Sequence, residues 1–475
     1  MGERDLRRSP AAAAAAAPYY PIKKESLCFS KRKRDPHHLV SGGITASISD
    51  DVLAHVFTRL PDMATVVRCA ATCGRWGHLV ATRAALISPC LPPLGRFFPN
   101  LAVGLFHQKK DRPTTRTRDA PSPRPCFVAT ASGTRFIRGH GQSSLAILGQ
   151  DGGHRLMDHS RPVASRNGRL VLELRRDWRQ GRASDGLRLA ICNPMMLDKI
   201  DVIPPLVLVG KNATKILDYC CALLTGHDLN PPCHQDFFHI LLIYSHNGPG
   251  GQSTVLRCYS SDTGRWGPET ESIVKIPSSK IRNIGPAVVR RGVAFWALEH
   301  GVLGVRLDLK NHTMDMHMVP CNTSHVGPNN RLMGISPDNK LFLMYYGFMG
   351  ASYGLGKLVL KLTYLEFPNE DDIQTGKTCR KCKIVLVEQM RKQLMVVTRY
   401  VHTIKLWWFG EKSGILLFTM GEGSREPGTY VLKLQESAVD KLADDGHLWK
   451  NLLGYEMDMT AYFTSFSSGI YSSNE

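Results

Sequence analysis

One short unit recurs through the later part of this 475-residue chain: a turn built on Asn, Gly or Asp, an apolar strand, a variable loop, then a second strand and another polar turn. It appears as Asn167-Gly168-Arg169-Leu170-Val171-Leu172, as Arg291-Gly292-Val293-Ala294-Phe295-Trp296, as Asn339-Lys340-Leu341-Phe342-Leu343 and as Ser413-Gly414-Ile415-Leu416-Leu417-Phe418. The second strand type runs from Leu187 to Asn193, Val255 to Asp262, Gly304 to Asp308 and Thr429 to Leu434. Short apolar runs that end on turn residues are what hairpins require. The stretch from about 126 to 465 therefore reads as mainly β, with a polar, helix-like interruption near Ser437 to Leu442. About 340 residues at roughly 40–50 per four-stranded repeat predict an irregular β-propeller of six to eight blades. Because the spacing is uneven and no WD or kelch signature recurs, a pair of β-sandwiches is the competing arrangement.

A different periodicity fills Ile48 to Ile87. Ser49 is placed to cap a helix whose first turn carries Asp50 and Asp51, which suit the positive end of the helix dipole. Val52, Leu53, Val56, Phe57 and Leu60 mark its apolar face, and Pro61 is expected to stop it. Met63, Val66, Val67, Ala70 and Cys73 follow at helical spacing, and Arg75, Trp76 and Leu79 open a third turn. Periodicity alone describes a small α subdomain packed on the rest of the chain.

The same stretch resembles the F-box, whose pattern runs Leu-Pro, an acidic pair, an apolar helix, Leu-Pro, then Cys, Arg and Trp at the spacing of Arg68, Cys73, Arg75 and Trp76. It departs at Ile48-Ser49, where the family has Leu-Pro, and at Gly74, where the family has Lys. The resemblance implies a three-helix docking element for the Skp-type adaptor of cullin-RING ubiquitin ligases. Ile48, Val52, Leu53, Val56, Phe57, Leu60, Pro61, Val67, Cys73 and Trp76 would form the adaptor face or the small core beneath it. In such a helix-in-groove interface a few buried apolar anchors carry most of the affinity. Further along, CYSSDTGRWGPE (Cys258 to Glu269), WWFGEKSGILLF (Trp407 to Phe418) and LLGYEMDM (Leu452 to Met459) resemble the associated domain of grass F-box proteins. The implied function is that of a substrate-receptor subunit of an SCF-type ligase, itself no catalyst and without a cofactor, holding an unidentified protein target for ubiquitination and proteasomal degradation.

The expected organisation is a basic, Ala- and Pro-rich disordered tail (1–43), the F-box (44–90), a connector (91–125), the β domain (126–465) and a short tail (466–475). Within the connector, Phe97, Phe98, Leu101 and Phe106 form an apolar patch expected to pack on the next domain. No run reaches the roughly 18 apolar residues that span a bilayer. Ala11 to Ala17 lack the bulky side chains of a signal-peptide core, and Leu6 stands where myristoylation needs Ser or Thr. Thirteen cysteines without framework spacing point to reduced thiols, and so to nucleus or cytosol. Cys379 and Cys382 form a C-x-x-C, but the nearest histidine, His402, is too distant to complete a tetrahedral zinc site, and no metal is expected.

Lys and Arg number 60 against 41 Asp and Glu, a net charge of +19. Nine of those cations fall in the first 43 residues, where Lys31, Arg32, Lys33 and Arg34 read as a nuclear address or as a solvated basic tail. A nuclear scaffold associated with nucleic acid is thus the alternative function. Without an RNP, zinc-finger or zipper motif, however, the charge supports only loose phosphate binding, and sequence-specific recognition is not expected.

Enzyme motifs fail. Gly354-Leu355-Gly356-Lys357-Leu358 lacks the first glycine and the hydroxyl of a phosphate loop. Gly334-Ile335-Ser336-Pro337-Asp338 departs from a nucleophile elbow at its last position and reads as a β-turn. Trp407 and Trp408 could stack on a sugar or base, which keeps a propeller enzyme as a third class, but filling between sheets is the commoner use of such side chains.

Overall fold

The computed structural model describes residues 48–91, 94–109, 125–134, 160–174, 186–195, 200–207, 216, 218–228, 237–248, 251–281, 284–299, 301–308, 313–320, 331–352, 355–365, 385–386, 395–397, 404–421, 427–436 and 438–466. Lys31 to Arg34, Cys379, Cys382 and His402 lie outside these residues. The chain divides into two compact units, Met1–Ser49 and Asp50–Glu475. The second holds all the helices and sheets described below.

It begins with four helices: α1 (Asp50–Thr58), α2 (Met63–Ala70), α3 (Gly74–Thr82) and α4 (Ala84–Cys90). The fourth was not anticipated. It follows α3 across Arg83 and carries Pro89 near its end. Pro61 does not directly end α1, which stops at Thr58. The chain then tightens into i→i+3 bonds, Arg59 N to Val56 O (3.1 Å) and Leu60 N to Phe57 O (3.3 Å), before reaching the proline. The residue before a proline is disfavoured in the α region, so the helix closes early.

The strands form six antiparallel sheets among the described residues. The first contains β1 (Ala102–Lys109) and β2 (Cys126–Ala129). The second contains β3 (Ser160–Arg166), β4 (Arg169–Leu174), β5 (Leu189–Cys192) and β6 (Ile200–Val202). The third runs through β7 (Tyr219–Thr225), β8 (Phe238–Gly248), β9 (Gly251–Ser260), β10 (Arg265–Trp266) and β11 (Thr270–Glu271). The fourth is β12 (Val288–Arg290), β13 (Val293–Leu298), β14 (Gly301–Asp308) and β15 (Thr313–Pro320). The fifth is β16 (Arg331–Ile335), β17 (Leu341–Ser352), β18 (Leu355–Leu365), β19 (Val385–Leu386) and β20 (Met395–Val397). The sixth is β21 (Ile404–Phe409), β22 (Ile415–Met420), β23 (Gly428–Lys433) and β24 (Ala438–Ala443). The last strand, β25 (Trp449–Glu456), starts no new sheet. It pairs antiparallel with β1 and joins the first, and a short helix, α5 (Met459–Thr464), follows it.

Two features differ from the expected organisation. The strand β1 lies wholly inside the stretch read as a connector, and the polar stretch Ser437 to Leu442 overlaps a strand, β24. The edge strand β24 keeps one side in solvent, so polar side chains are tolerated along it.

The recurring turns seen in the sequence are the tips of the hairpins that open these sheets. Asn167 (φ 49°) with Gly168 (φ 75°), and Arg291 (φ 50°) with Gly292 (φ 75°), form two-residue loops with both φ values positive. That loop matches the natural twist of a hairpin and favours Asn-Gly. Arg291 occupies the left-handed region without the side-chain chemistry that usually eases it.

Consecutive sheets face one another, and the core lies between them. One cluster joins β3–β5 to the third sheet through Val171, Leu189, Leu223 and Ile240. The next joins the third and fourth through Leu241, Ile243, Trp296 and Leu303. Another joins the fourth and fifth through Phe295, Val302, Leu341 and Leu343, and another the fifth and sixth through Phe342, Met344, Leu416 and Phe418. Alternate residues of β17 go to opposite clusters, Leu341 and Leu343 to one and Phe342 and Met344 to the other. Side chains alternate along a strand, so a strand covered on both faces must be apolar at every position. The first strands of the second to sixth sheets, together with β25 of the first sheet, also meet in order: β3 with β7, β7 with β12, β12 with β16, β16 with β21, β21 with β25 and β25 with β3.

Candidate functional site

The predicted docking residues separate into a small core and an outer face. Leu53 and Phe57, one turn apart on α1, are buried with Met63, Val66 and Ala70 of α2. The Phe57 ring meets Trp76 of α3 edge-on, with centroids 5.7 Å apart. Val52 and Val56, also one turn apart, remain 53% and 48% exposed. The stripe read as one face is therefore wider than the helix can bury, and its outer edge is apolar and exposed. Pro61 and Cys73 are exposed, whereas Ile48, Leu60, Val67 and Trp76 are half-buried. Cys73 is not on a helical face. It is the residue just before α3.

Local chemistry holds these helices in place. Asp62 caps α2, its Oδ1 accepting from the Thr65 N–H at 2.7 Å. That bond, with a second from the Thr65 hydroxyl, lowers its pKa. Asp50 accepts from Arg75 Nε and Nη2 at 3.0 and 2.8 Å, and Asp51 pairs with Arg83 at 2.8 Å. These pairs are largely exposed and contribute little energy, but they orient α1 against α3. On the far side α5 packs against α3 and α4, and Tyr462 meets Phe98 edge-on at 5.6 Å. Phe97 is buried against Phe409 and Phe106 meets Tyr455, so the predicted patch packs on the later part of the chain, with Phe98 doing so through α5.

A second feature lies where the first strands meet. A cavity of ≈150 Å³ is lined by residues of β3 (Arg161, Pro162), β7 (Tyr219, Cys221), the approach to β12 (Pro286), β16 (Arg331), β21 (Lys405, Trp407) and β25 (Leu453). Five sheets contribute strand residues, and the fourth contributes the loop that leads into it. Arg161 pairs with Glu173 at 2.5 Å, and the Tyr219 hydroxyl donates to the same carboxylate at 2.9 Å. Burial works against the Arg161 charge, but Tyr219 and Glu173 more than offset it and its pKa rises. Arg331 Nη1 donates to the carbonyls of Leu298 (2.7 Å) and Glu299 (2.8 Å). Lys405 Nζ stands 3.6 Å from the centroid of the Trp407 ring, and the indole N–H donates to Thr419 Oγ1 at 2.9 Å. Burial pushes the Cys221 thiol up to about 12, which makes it a poor nucleophile.

The hairpin tips at the other end of the first strands are knotted by charge. Arg166, at the end of β3, pairs with Asp228 and with Glu411, the latter at 2.9 Å. Asp228 also accepts from the Thr225 N–H (2.7 Å), and Glu411 from the Val289 N–H (3.2 Å). Glu456 of β25 accepts from the backbone N–H groups of Ser413 (2.6 Å) and Lys412 (3.3 Å). Burial opposes the Arg166 charge, yet the two carboxylates outweigh it and hold its pKa above the ordinary arginine value. Burial raises Glu411, against the pull of Arg166, and lowers Lys412. These carboxylates spend their lone pairs on the protein's own loops, and the space beside them, ≈20 Å³, holds no more than a water.

Sequence reasoning missed Arg161, Arg166, Asp228, Arg331 and Lys405. Glu411 and Lys412, in the turn between β21 and β22, and Glu456, at the end of β25, sit inside two quoted strings, Trp407 to Phe418 and Leu452 to Met459, and charges set among apolar residues were the available signal. Of the two tryptophans, Trp408 is core, 5% exposed, and Trp407 is half-buried at the cavity. The glycine-rich string lies largely on β18, not in a phosphate-cradling loop, and Ser336 bonds within its own turn to Lys340 O at 3.1 Å. Among the described residues no cluster of His, Cys, Asp or Glu could hold a metal, and no helix is long and apolar enough to cross a membrane.

No family model matches the sequence, and no curated protein does. Among solved structures, the chain resembles a Penicillium chrysogenum α-L-arabinanase complexed with arabinobiose at 11% identity and a TM-score of 0.32, covering 63% of this chain and 82% of that one. An exo-1,5-α-L-arabinanase from a bovine ruminal metagenomic library gives 10% identity and a TM-score of 0.22, covering 62% and 91%. Likenesses this remote carry no argument about activity.

Proposed function

We propose that this chain is a substrate-receptor subunit of an SCF-type ubiquitin ligase. In this reading the α1–α3 face docks the Skp-type adaptor, and the six sheets form an irregular six-bladed β-propeller that holds a protein target. The chain itself supplies no catalytic group. It works by raising the effective concentration of target at the charged ubiquitin-conjugating enzyme, in the nucleus or cytosol. The observation that carries the docking assignment is the exposed pair Val52 and Val56 beside an otherwise packed helical core. Apolar side chains one turn apart on an outer helix face are the anchors that a groove-shaped partner takes. The propeller reading is supported by the cyclic order of first-strand contacts and by strands buried on both faces. Two separate sandwiches would leave one face of each sheet in water.

The test is co-purification of the full chain with a recombinant Skp-type adaptor and cullin. Burying each half-exposed valine contributes about 1–2 kcal/mol. The double variant Val52→Asp/Val56→Asp also drives carboxylates into an apolar groove, so adaptor affinity should fall at least ~100-fold. Its melting temperature should stay close to that of the parent, because both side chains face solvent. Wild-type protein that recovers no adaptor would sink the ligase reading. Undiminished binding by the folded variant would sink the residue assignment.

A further inference from the structure

The second sheet ends on a strand, β6, whose outer edge is unguarded. The Ile203 N–H donates to Leu189 O at 2.9 Å, toward β5, and Asp201, two residues earlier, pairs with Ile191 on the same side. Backbone groups alternate sides along an antiparallel strand, so the N–H and C=O of Ile200 and Val202 point away from the sheet. Pro204 continues the alternation: its carbonyl accepts from the indole N–H of Trp266 on β10 at 2.8 Å. Among the described residues, nothing meets the outward groups of Ile200 and Val202. Their side chains are 38% and 55% exposed, and Val207, just past the bridge between Leu187 and Leu206, is 46% exposed. Other outer strands are guarded by charge: β24 exposes Asp440 and Lys441, and β15 exposes Asp315. Charges on an edge keep further strands away, whereas β6 offers two β-branched apolar side chains. Pro204 and Pro205 lack N–H groups, so the edge ends at Val202.

We propose that the outer edge of β6 takes an extended apolar segment of a partner protein, which adds to the second sheet as a further strand. The open donors and acceptors specify that occupant. They come in pairs on alternate residues, about 7 Å apart. An extended chain meets that spacing, and a helix, whose backbone groups are bonded internally, does not. On the side shared with Ile200 and Val202 the segment carries β-branched or aromatic residues, because cross-strand pairs of that kind add to the main-chain bonds. A second copy of this chain is disfavoured as the occupant, since each copy carries a net charge of +19. The inference stands without the ligase reading, and the α1–α3 face takes no part in it.

The experiment uses the full-length protein and a fluorescent peptide, Glu-Val-Thr-Val-Thr-Val-Glu capped at both ends, followed by anisotropy at physiological salt. The same peptide N-methylated along its central Val-Thr-Val-Thr-Val run keeps its charge and side chains but cannot donate from that backbone. It should bind at least ~10-fold more weakly. Val202→Lys, a change at an exposed side chain, should lower affinity for the unmethylated peptide at least ~10-fold. Ile273→Lys, at an apolar side chain 62% exposed elsewhere on the surface, should leave that affinity within about twofold. Hydrogen exchange reads the backbone directly: saturating peptide should slow exchange of the Ile200 and Val202 amides and leave that of Ile203, already bonded to Leu189, as it was. Wild-type protein that does not bind the peptide would overturn the proposal, as would equal affinity for the methylated peptide. So would unprotected Ile200 and Val202 amides, undiminished binding by Val202→Lys, or an equal loss with Ile273→Lys. A concentration-dependent dimer in sedimentation that Val202→Lys abolishes would also overturn it, because a second copy would then hold the edge.

Discussion

Replacing Arg166 by Met tests whether the charge knot at the hairpin tips fastens the sheets. The side chains of Arg166, Asp228 and Glu411 are 12%, 7% and 14% exposed, so all three charges are largely removed from water. At an effective dielectric of about 20, a unit pair at the 2.9 Å of Arg166 and Glu411 attracts by about 6 kcal/mol. Desolvation of the three groups offsets most of that gain, so the intact knot is worth little net. Removing only the guanidinium leaves two carboxylates buried without their cation, and breaking such a pair costs about 3–5 kcal/mol. The assay is urea unfolding followed by tryptophan fluorescence, with the midpoint and slope compared at pH 7. Arg166→Met should lose that amount, and Arg166→Met/Asp228→Asn/Glu411→Gln should recover most of it, because no charge is then stranded. A single variant within about 1 kcal/mol of the parent would refute the reasoning, as would a triple variant no better than the single one. Either result would mean that water reaches these carboxylates and leaves them free for another role.

Gly454 of β25 has no room for a side chain: a Cβ there would stand 2.0 Å from Cε3 of Trp408. Gly454→Ala should therefore cost about 1–3 kcal/mol in the same unfolding assay, and a neutral result would show that the Trp408 ring yields. Asp62→Ala removes the cap of α2 and should lower stability by about 1 kcal/mol, read as a shift in the α-helical circular-dichroism midpoint; no shift would mean water replaces the cap. His317 is buried, and burial, with Arg306, lowers its folded pKa below the ordinary 6.5. The unfolded chain then binds the proton first, so its stability contribution is present above pH 6.5 and is lost as pH falls through the folded value. His317→Leu should flatten the fall of the melting temperature below pH 6.5, and an unchanged slope would assign the acid sensitivity to other groups.

The hairpins were legible because their chemistry is local. Asn167-Gly168 and Arg291-Gly292 announce positive φ within two residues, and the apolar runs beside them are the strands they join. The helices were legible for the same reason, although periodicity merged two faces of α1 into one. Val52 and Leu53 are a single residue apart, and only the packing of Phe57 on Trp76 determines which of them turns inward. The strand β1 was not legible. Ala102 to Lys109 contains Gly104, His107, Gln108 and Lys109, which interrupt any apolar run, and its longer pairing is with β25, far along the chain. Arg161, Arg331 and Lys405 were equally hidden. Each is one basic residue at or near the start of a strand, and no sequence window contains two of them.

Lys109 pairs with Trp449, so about 340 residues must be made between the two halves of one hydrogen-bonded ladder. At translation rates of about 5–20 residues per second, β1 waits roughly 17–70 s for its partner, far longer than a hairpin takes to form. Throughout that interval one side of β1 offers unsatisfied N–H and C=O groups on a ribosome-tethered chain, a surface that recruits other strands. The second to sixth sheets can each form as they emerge, since every one of them is closed by near neighbours. The molecule's vulnerable period is therefore its own synthesis. A ribosome that stalls after β24 releases a product with five finished sheets and one exposed edge, a species that chaperones and quality-control proteases would meet first.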